Sequence, residues 1–292
     1  MRRPRPAWRA AALALCLLAG ACTKPDPASP ALWRVDGPNG AHGWLFGTIH
    51  ALPHKAAWRT PAVADALDQS DRLVVEIAGL NDGAALSRAF RALSEDRAHA
   101  LPPLADRVAP EQRAALADLV KRGGLAAGAL DSAKTWAAAI VLGQIAASAE
   151  DAAHGIDRDL IAHYPHAIGE LEGAPAQFAL FDALPEEAQR RLLADTLAGA
   201  PTAEADGRQL AAEWRAGDMG AIAAETRRGL LADPTLHEAL YAARNRRWAA
   251  AIEAQMKGGA HPFVAVGAAH LAGAEGLPAL LAADGWQLRR VE

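Results

Sequence analysis

The sequence predicts an α/β or α+β fold. It consists of a central sheet built from two strand–Gly-x-x-His–helix–strand units near the termini, with a helical region between them. Three observations carry that expectation. The 292 residues are 51% hydrophobic, enough to bury a sizeable core and unlike a disordered or fibrous chain. Strand patterns gather at the two ends, while the middle is alanine-rich with helical spacing. No second compositional regime and no linker follows Pro30, which argues for one domain over residues 32–292.

The chain opens on an address. Arg2, Arg3, Arg5 and Arg9 precede an apolar run over residues 11–21 that has the length of a signal-peptide core and is too short to span a bilayer comfortably. The run ends in Leu17-Leu18-Ala19-Gly20-Ala21-Cys22, small residues ahead of a cysteine as in a bacterial lipobox. The expectation is a lipoprotein signal peptide over 1–21, lipidation of Cys22, and a Pro-rich tether over 22–31. An ordinary secretory signal leaving Cys22 as a free thiol is the alternative. Thr23 after the cysteine, in place of Asp, suits the outer membrane of a Gram-negative cell, with the domain facing the periplasm.

Leu32–Val35 and Trp44–Phe46 read as strands around the turn residues Asp36-Gly37-Pro38-Asn39-Gly40. Thr60-Pro61 supplies an N-cap and a first-turn proline for a helix whose inner face holds Val63, Ala64, Ala66 and Leu67. Residues 72–77 form a buried-strand pattern that runs into Glu76. From about Asp82 to Ser148 the pattern is helical, broken at Leu101-Pro102-Pro103 and Gly123-Gly124. A short strand over Ala167–Leu171 follows. Helices then cover Pro175–Ala198, Ala203–Ala216 and a long run Leu236–Lys257. The end reads strand, helix, strand: Pro262–Val266, Leu277–Ala282, Trp286–Val291.

Charge and cysteine usage remove some function classes. The chain carries 30 basic and 34 acidic residues; without the four leader arginines, 26 basic residues remain against the same 34. That balance argues against a phosphate-binding surface, so no nucleic acid is expected as a partner. The two cysteines, Cys16 and Cys22, both precede the domain, which excludes a disulfide framework and a cysteine-based zinc site. Any metal must be held by His, Asp and Glu.

The informative feature is an internal echo. A strand runs into Gly47-Thr48-Ile49-His50 near the start, and another into Gly267-Ala268-Ala269-His270 near the end. Open α/β sheets collect ligands where loops leave the carboxyl ends of their strands. Glycine there permits a close backbone approach, and a histidine three residues on can point back over the strand end. If the units share one sheet, His50, His270 and Glu76 form a reasonable ligand set for a divalent transition metal. Their alternative is a hydrogen-bonded group organising loops at the sheet edge.

Several ordered blocks make the chain resemble the TraB/PrgY/GumN family, closest to its bacterial GumN-like branch. These are Leu32-Trp33-Arg34-Val35, Leu45–His50, Leu73-Val74-Val75-Glu76, Gly155-Ile156-Asp157, Glu170-Leu171-Glu172 with Gln177, Arg244-Asn245-Arg246-Arg247-Trp248, and Val266–Gly273. The resemblance implies a metal-dependent hydrolase fold similar to erythromycin-esterase and ChaN-like proteins. In the related animal TIKI metalloproteases, the paired motifs and a glutamate are tied to Mn- or Co-dependent peptide cleavage. By position those residues are His50, Glu76 and His270. One departure is Gly173, where a threonine is common.

On that basis Glu76 is either the third ligand or the general base that takes a proton from water. Asp157 and Glu172 are expected to orient an imidazole N–H, or else to serve as a helix cap and a surface salt bridge. From the basic helix run, Arg244 and Asn245 are singled out as catalytic residues. Arg244 would bind a substrate carboxylate or an oxyanion. The expected function is a Mn-, Co- or Zn-dependent hydrolase, a peptidase above other kinds, acting on a peptide or other small substrate outside the cytoplasm and held to the membrane through Cys22. The alternative is a protein of the same fold that sequesters a peptide without turning it over.

Overall fold

The computed structural model describes residues 25–96, 101–147 and 151–292. The signal segment and Cys22 lie outside the described residues. The expected tether is laid onto the domain from Asp26 onward. Strand β1 (Asp26–Pro27) pairs with β4 (Ala56–Ala57), the Ser29 amide donates to the Arg215 carbonyl, and Pro30 and Ala31 are buried.

The main sheet contains β2 (Leu32–Asp36), β3 (His42–Thr48), β5 (Arg72–Val75), β6 (Ala167–Glu170), β7 (Pro262–Gly267) and β8 (Gln287–Arg290), in the order β6-β5-β7-β3-β2-β8. Strand β2 is antiparallel to both its neighbours, so the other five run parallel. The fold is α/β. Alternation sorts the side chains: Phe46, Leu73, Val75, Phe263 and Ala265 enter one core, while Leu45, Val74, Val264 and Val266 enter the core on the other face.

Helix α1 (Pro61–Asp68) begins as its sequence requires, with the Thr60 hydroxyl accepting from the Val63 amide and proline in the first turn. It carries the chain from β3 across β7 to β5 and buries Val63, Ala66 and Leu67 in the first core. Helix α12 (Leu277–Ala283) carries the chain from β7 across β3 and β2 to β8, and buries Leu277 and Leu281 in the second. Two right-handed crossovers that run in opposite directions put their helices on opposite faces, as found. Adjacent strands β3 and β7 are therefore a topological switch point, where a crevice opens beyond the carboxyl ends.

Between these units, α2 (Gly83–Ser94), α3 (Arg113–Arg122), α4 (Thr135–Ala146), α5 (Ile156–His163), α6 (Ala174–Asp182) and α7 (Glu186–Gly199) fill the helical middle. Pro185 ends the continuous run expected over Pro175–Ala198, and α7 restarts after it. Helices α3, α4 and α7 build a third core around Trp136, Leu119, Leu142 and Leu193 that contains no sheet residue. Helices α8 (Ala203–Arg215) and α9 (Met219–Glu225) instead bury Ala211, Trp214 and Ile222 against the first face of the sheet. The long helix expected over Leu236–Lys257 is a run from α10 (Pro234–His237) through a π turn at Glu238–Ala242 into α11 (Ala243–Lys257).

Candidate functional site

Strands β3 and β7 lie side by side in parallel, pairing Gly47 with Val266 and Thr48 with Gly267. The two Gly-x-x-His motifs are thus neighbours staggered by one residue, and His50 and His270 line one cavity. A Cβ built on Gly267 would stand 3.4 Å from Glu76 Oε1 and 3.5 Å from His50 Nε2. The glycine keeps open the space between those two groups.

His50 is placed by a residue more than a hundred positions away. Its Nδ1 lies 2.7 Å from Asp157 Oδ2, and the Thr48 hydroxyl donates to the other Asp157 oxygen at 2.5 Å. Asp157 sits in the first turn of α5, whose Ile156 amide donates to the Ile49 carbonyl at 2.9 Å. The Asp157 charge pushes the His50 imidazole up to about 9, against the opposing effect of burial. The ring is 67% exposed, so water screens part of that pull. Burial would raise Asp157, but His50 and the Thr48 hydroxyl outweigh it and hold the carboxyl below its ordinary value.

His270 is placed from the opposite side and is buried. Its Nδ1 is 2.6 Å from Asn245 Oδ1, while the Asn245 amide nitrogen donates to the Glu275 carbonyl at 2.7 Å. That second bond fixes which end of the amide faces the ring, so Nδ1 of His270 carries the proton and Nε2 keeps its lone pair. Burial first, then the positive charges of Arg244 and His50, push this imidazole down to about 4. It is neutral. Tyr241 stacks on it at 5.6 Å and Trp248 tilts against it at 4.5 Å, so packing also locks the ring.

Glu76 ends the β5 segment with both oxygens engaged: Oε1 accepts from the Gly267 amide at 2.8 Å and Oε2 from Arg244 Nη2 at 3.0 Å. Burial alone would raise it. With His270 neutral, the charges of His50 and Arg244 and the Gly267 amide bring it below the usual carboxylate range.

Arg244 is the organiser of the floor. Its Nε donates to Glu172 at 3.1–3.2 Å, Nη1 to the Leu240 carbonyl at 3.1 Å, and Nη2 to Glu76. Its Nη1 also faces His270 Nε2 at 3.4 Å, and the guanidinium lies 4.5 Å from the Trp248 ring centre. The residue is buried, and its donors are engaged by these partners. The preceding π turn is the kind of irregularity that often marks functional sites, and the Leu240 carbonyl inside it serves Arg244. Among the described hydrogen bonds and ion pairs, Glu172 binds Arg244 and Arg247 and no imidazole. Gly173 has φ +80°, and a Cβ there would meet Glu170 Oε1 at 2.6 Å, so a threonine does not fit this loop.

The structure therefore brings these residues to one crevice as two bonded groups, His50 with Asp157, and Arg244 with Glu76, Glu172, His270 and Asn245. Among the described residues, however, no three His, Cys, Asp or Glu side chains come together closely enough to hold an ion. Arg244 sits against both Glu76 Oε2 and His270 Nε2. Sequence reasoning missed Thr48, Tyr241 and Gly155. The first is inside the Gly47–His50 motif and the last begins the Gly155-Ile156-Asp157 block, so both carried a signal.

No curated protein and no solved structure matches the chain. A family model does match, over residues 31–290. The protein with this pair of anchored histidines at its switch point belongs to the TraB/PrgY/gumN family.

Proposed function

We propose that the crevice is the site of a metal-dependent hydrolase, a peptidase above other kinds, acting outside the cytoplasm on a peptide bond attacked by an activated water. The observation that carries this reading is the pair of anchored imidazoles, each with Nδ1 committed to a partner; His50 Nε2 is left over, while His270 Nε2 keeps its lone pair facing Arg244 Nη1 at 3.4 Å. Histidines that ligate metals are usually oriented in this way.

By residue type the donors suit a divalent ion such as Mn, Co or Zn, although in this structure the three do not converge closely enough to hold one. Two imidazole nitrogens and a carboxylate share the crevice, and the missing Cβ of Gly267 leaves space between Glu76 and His50. His50, His270 and Glu76 would hold the ion. Bound there, it would supply Lewis acidity toward a water and a carbonyl oxygen. Asp157 keeps the His50 proton on Nδ1, and Asn245 does the same for His270. Arg244 pairs with two carboxylates, Glu76 and Glu172, in a buried place. A carboxylate has roughly four acceptor directions, so Glu76 retains two beyond its present hydrogen bonds. That favours the ligand role over the general-base role, because its oxygens already face donors.

A second reading, ligand sequestration without turnover, is favoured by the lack of a closed three-ligand cluster among the described residues. The deciding experiment measures metal content of purified protein by elemental analysis, with and without His50→Ala, beside cleavage of a peptide library under added Mn²⁺, Co²⁺ or Zn²⁺. The expected result is stoichiometric metal and cleavage, both lost in His50→Ala. Tight peptide binding with no cleavage under any metal, unchanged in His50→Ala, overturns the hydrolase reading in favour of sequestration.

A further inference from the structure

The cavity lined by His50 and His270 has a volume of about 360 Å³, and its other walls are largely apolar. Ile49, Trp214, Ile222 and Leu231 form them, with Leu210 at the edge. Two further observations point to an occupant. Leu210 is 38% exposed and is the one large apolar side chain left exposed among the described residues. An apolar group at such a rim gains by being covered. Gly207, one turn before it in α8, has an ordinary helical backbone, and an added Cβ would meet nothing within 4 Å. Glycine in a helix interior costs about 1 kcal/mol relative to alanine, and the neighbourhood gives no packing reason for it here. Gly207 lines the cavity beside Leu210, where a larger side chain has open space to enter.

A second, polar groove shares Gly207, Leu210 and Glu225 with the cavity and continues past Asp206, Gln209 and Glu213 to Arg228. An apolar pocket beside the imidazoles, continuous with a groove of hydrogen-bonding side chains, matches a chain with a polar backbone and one apolar side chain. It does not match a hydrocarbon, which would find no use for the groove. The cavity volume also lies at the low end of ligand sites, about 300–1,000 Å³.

We propose that this cavity selects peptides by one bulky apolar side chain, with Gly207 and Leu210 setting the entrance. The word substrate for such a peptide rests on the hydrolase reading above; the binding preference does not.

The test uses fluorescent Ala/Ser hexapeptides that differ at one position (Phe, Leu, Ser or Asp), with the whole protein, read by anisotropy and separately by cleavage under added Mn²⁺, Co²⁺ or Zn²⁺. Phe and Leu peptides should bind roughly tenfold or more tightly than Ser and Asp peptides, the scale on which apolar pockets discriminate. Gly207→Phe, which fills the entrance, and Leu210→Asp, which charges it, should each bring that ratio close to one. Thermal unfolding checks that each keeps its fold, and if one does not, the other decides. Binding that ignores the variable side chain, or a preference that survives in a folded variant, overturns the proposal. So does dodecanoate binding in the cavity while the Phe peptide fails to compete. Selective binding without cleavage under any metal leaves the pocket standing and removes the hydrolase reading alone.

Discussion

The backbone of Gly155 passes so close to His50 that a Cβ at position 155 would lie 2.2 Å from the His50 carbonyl oxygen. This approach seats the first turn of α5, and with it Asp157, beside the His50 ring. Gly155→Ala must push the two segments apart and should cost about 1–3 kcal/mol, the usual range for overpacking a closed contact. Gly79→Ala, where an added Cβ meets nothing within 4 Å, is the control and should change stability by less than 1 kcal/mol or so. Urea unfolding compares them. Equal stability of the two variants would mean that α5 is not held against His50.

The His50–Asp157 pair sets a pH window in metal-free protein. His50 titrates near 9 in the fold against 6.5 for an ordinary imidazole, so its stabilising contribution is complete below about 6.5 and lost as pH rises through 9. Asp157 titrates below its ordinary 3.8, so its contribution is present above that value and lost as pH falls through the depressed one. Asp157→Asn should bring the His50 titration, followed by NMR of the ring protons, down from about 9 toward 6.5. It should also remove most of the stability difference between pH 6 and pH 9.5. A His50 titration unmoved by Asp157→Asn would place the source of its shift elsewhere.

Much of this arrangement was legible in the sequence, and the reasons for the rest are physical. The paired Gly-x-x-His motifs at strand ends pointed to one crevice, because α/β topology brings such ends together. Their one-residue stagger was not legible, since register between β3 and β7 is fixed by tertiary packing. Gly155-Ile156-Asp157 stood out as a block, but its partner is set by a backbone approach that no local pattern encodes. Arg244 and Asn245 stood out from the basic run with Arg246 and Arg247, but for substrate or oxyanion binding and not as buried partners of Glu76, Glu172 and His270. The missed signal was their place on the stripe Arg244, Asn245, Trp248, Ala249, Ile252 and Met256, all buried at helical spacing. Polar residues on an apolar stripe must be satisfied inside, and these two are, by Glu76, Glu172 and His270.

Arg244 is the only cation contacting Glu76 directly among the described hydrogen bonds, and it also neutralises the well-buried Glu172. Arg244→Met keeps an unbranched apolar stem and leaves both carboxylates without the guanidinium. Removing one partner of a buried pair typically costs about 3–5 kcal/mol, so this single change should destabilise strongly. Glu172 keeps Arg247 as a partner, so adding Glu172→Gln should cost less in the Arg244→Met background than alone, giving a non-additive double-mutant cycle. Arg244→Lys should not rescue fully, since an ammonium cannot span Glu76, Glu172 and the Leu240 carbonyl as the fork does. Strict additivity in chemical denaturation would show that the guanidinium does not couple the two carboxylates.

The lipoprotein expectation is tested apart from the fold. No helix of the described residues is long and apolar enough to cross a membrane. Cys22→Ser should therefore move the protein from the membrane fraction to the soluble fraction. A single short apolar run without a lipid anchors weakly. Unchanged fractionation of Cys22→Ser with normal signal processing would assign the anchor to something else.

Glu76→Gln separates the network from the chemistry. In the fold, the two Glu76 oxygens both face donors, the Gly267 amide at 2.8 Å and Arg244 Nη2 at 3.0 Å. A glutamine in the same place has one oxygen and one NH₂ group, so whichever way it turns, one donor meets another donor. The unmatched buried donor costs about 1–3 kcal/mol, and Arg244 loses one of its two carboxylate partners as well. Glu76→Gln should therefore lower the unfolding midpoint even in metal-free protein, although it is close to isosteric. If Glu76 is also a metal ligand, as proposed, the same substitution should weaken metal binding in calorimetric titration, because a neutral amide oxygen is a poorer donor than a carboxylate. A general base would instead leave metal affinity intact and abolish turnover alone. Full stability together with unchanged metal affinity would separate Glu76 from both the Arg244 network and the proposed ligand set.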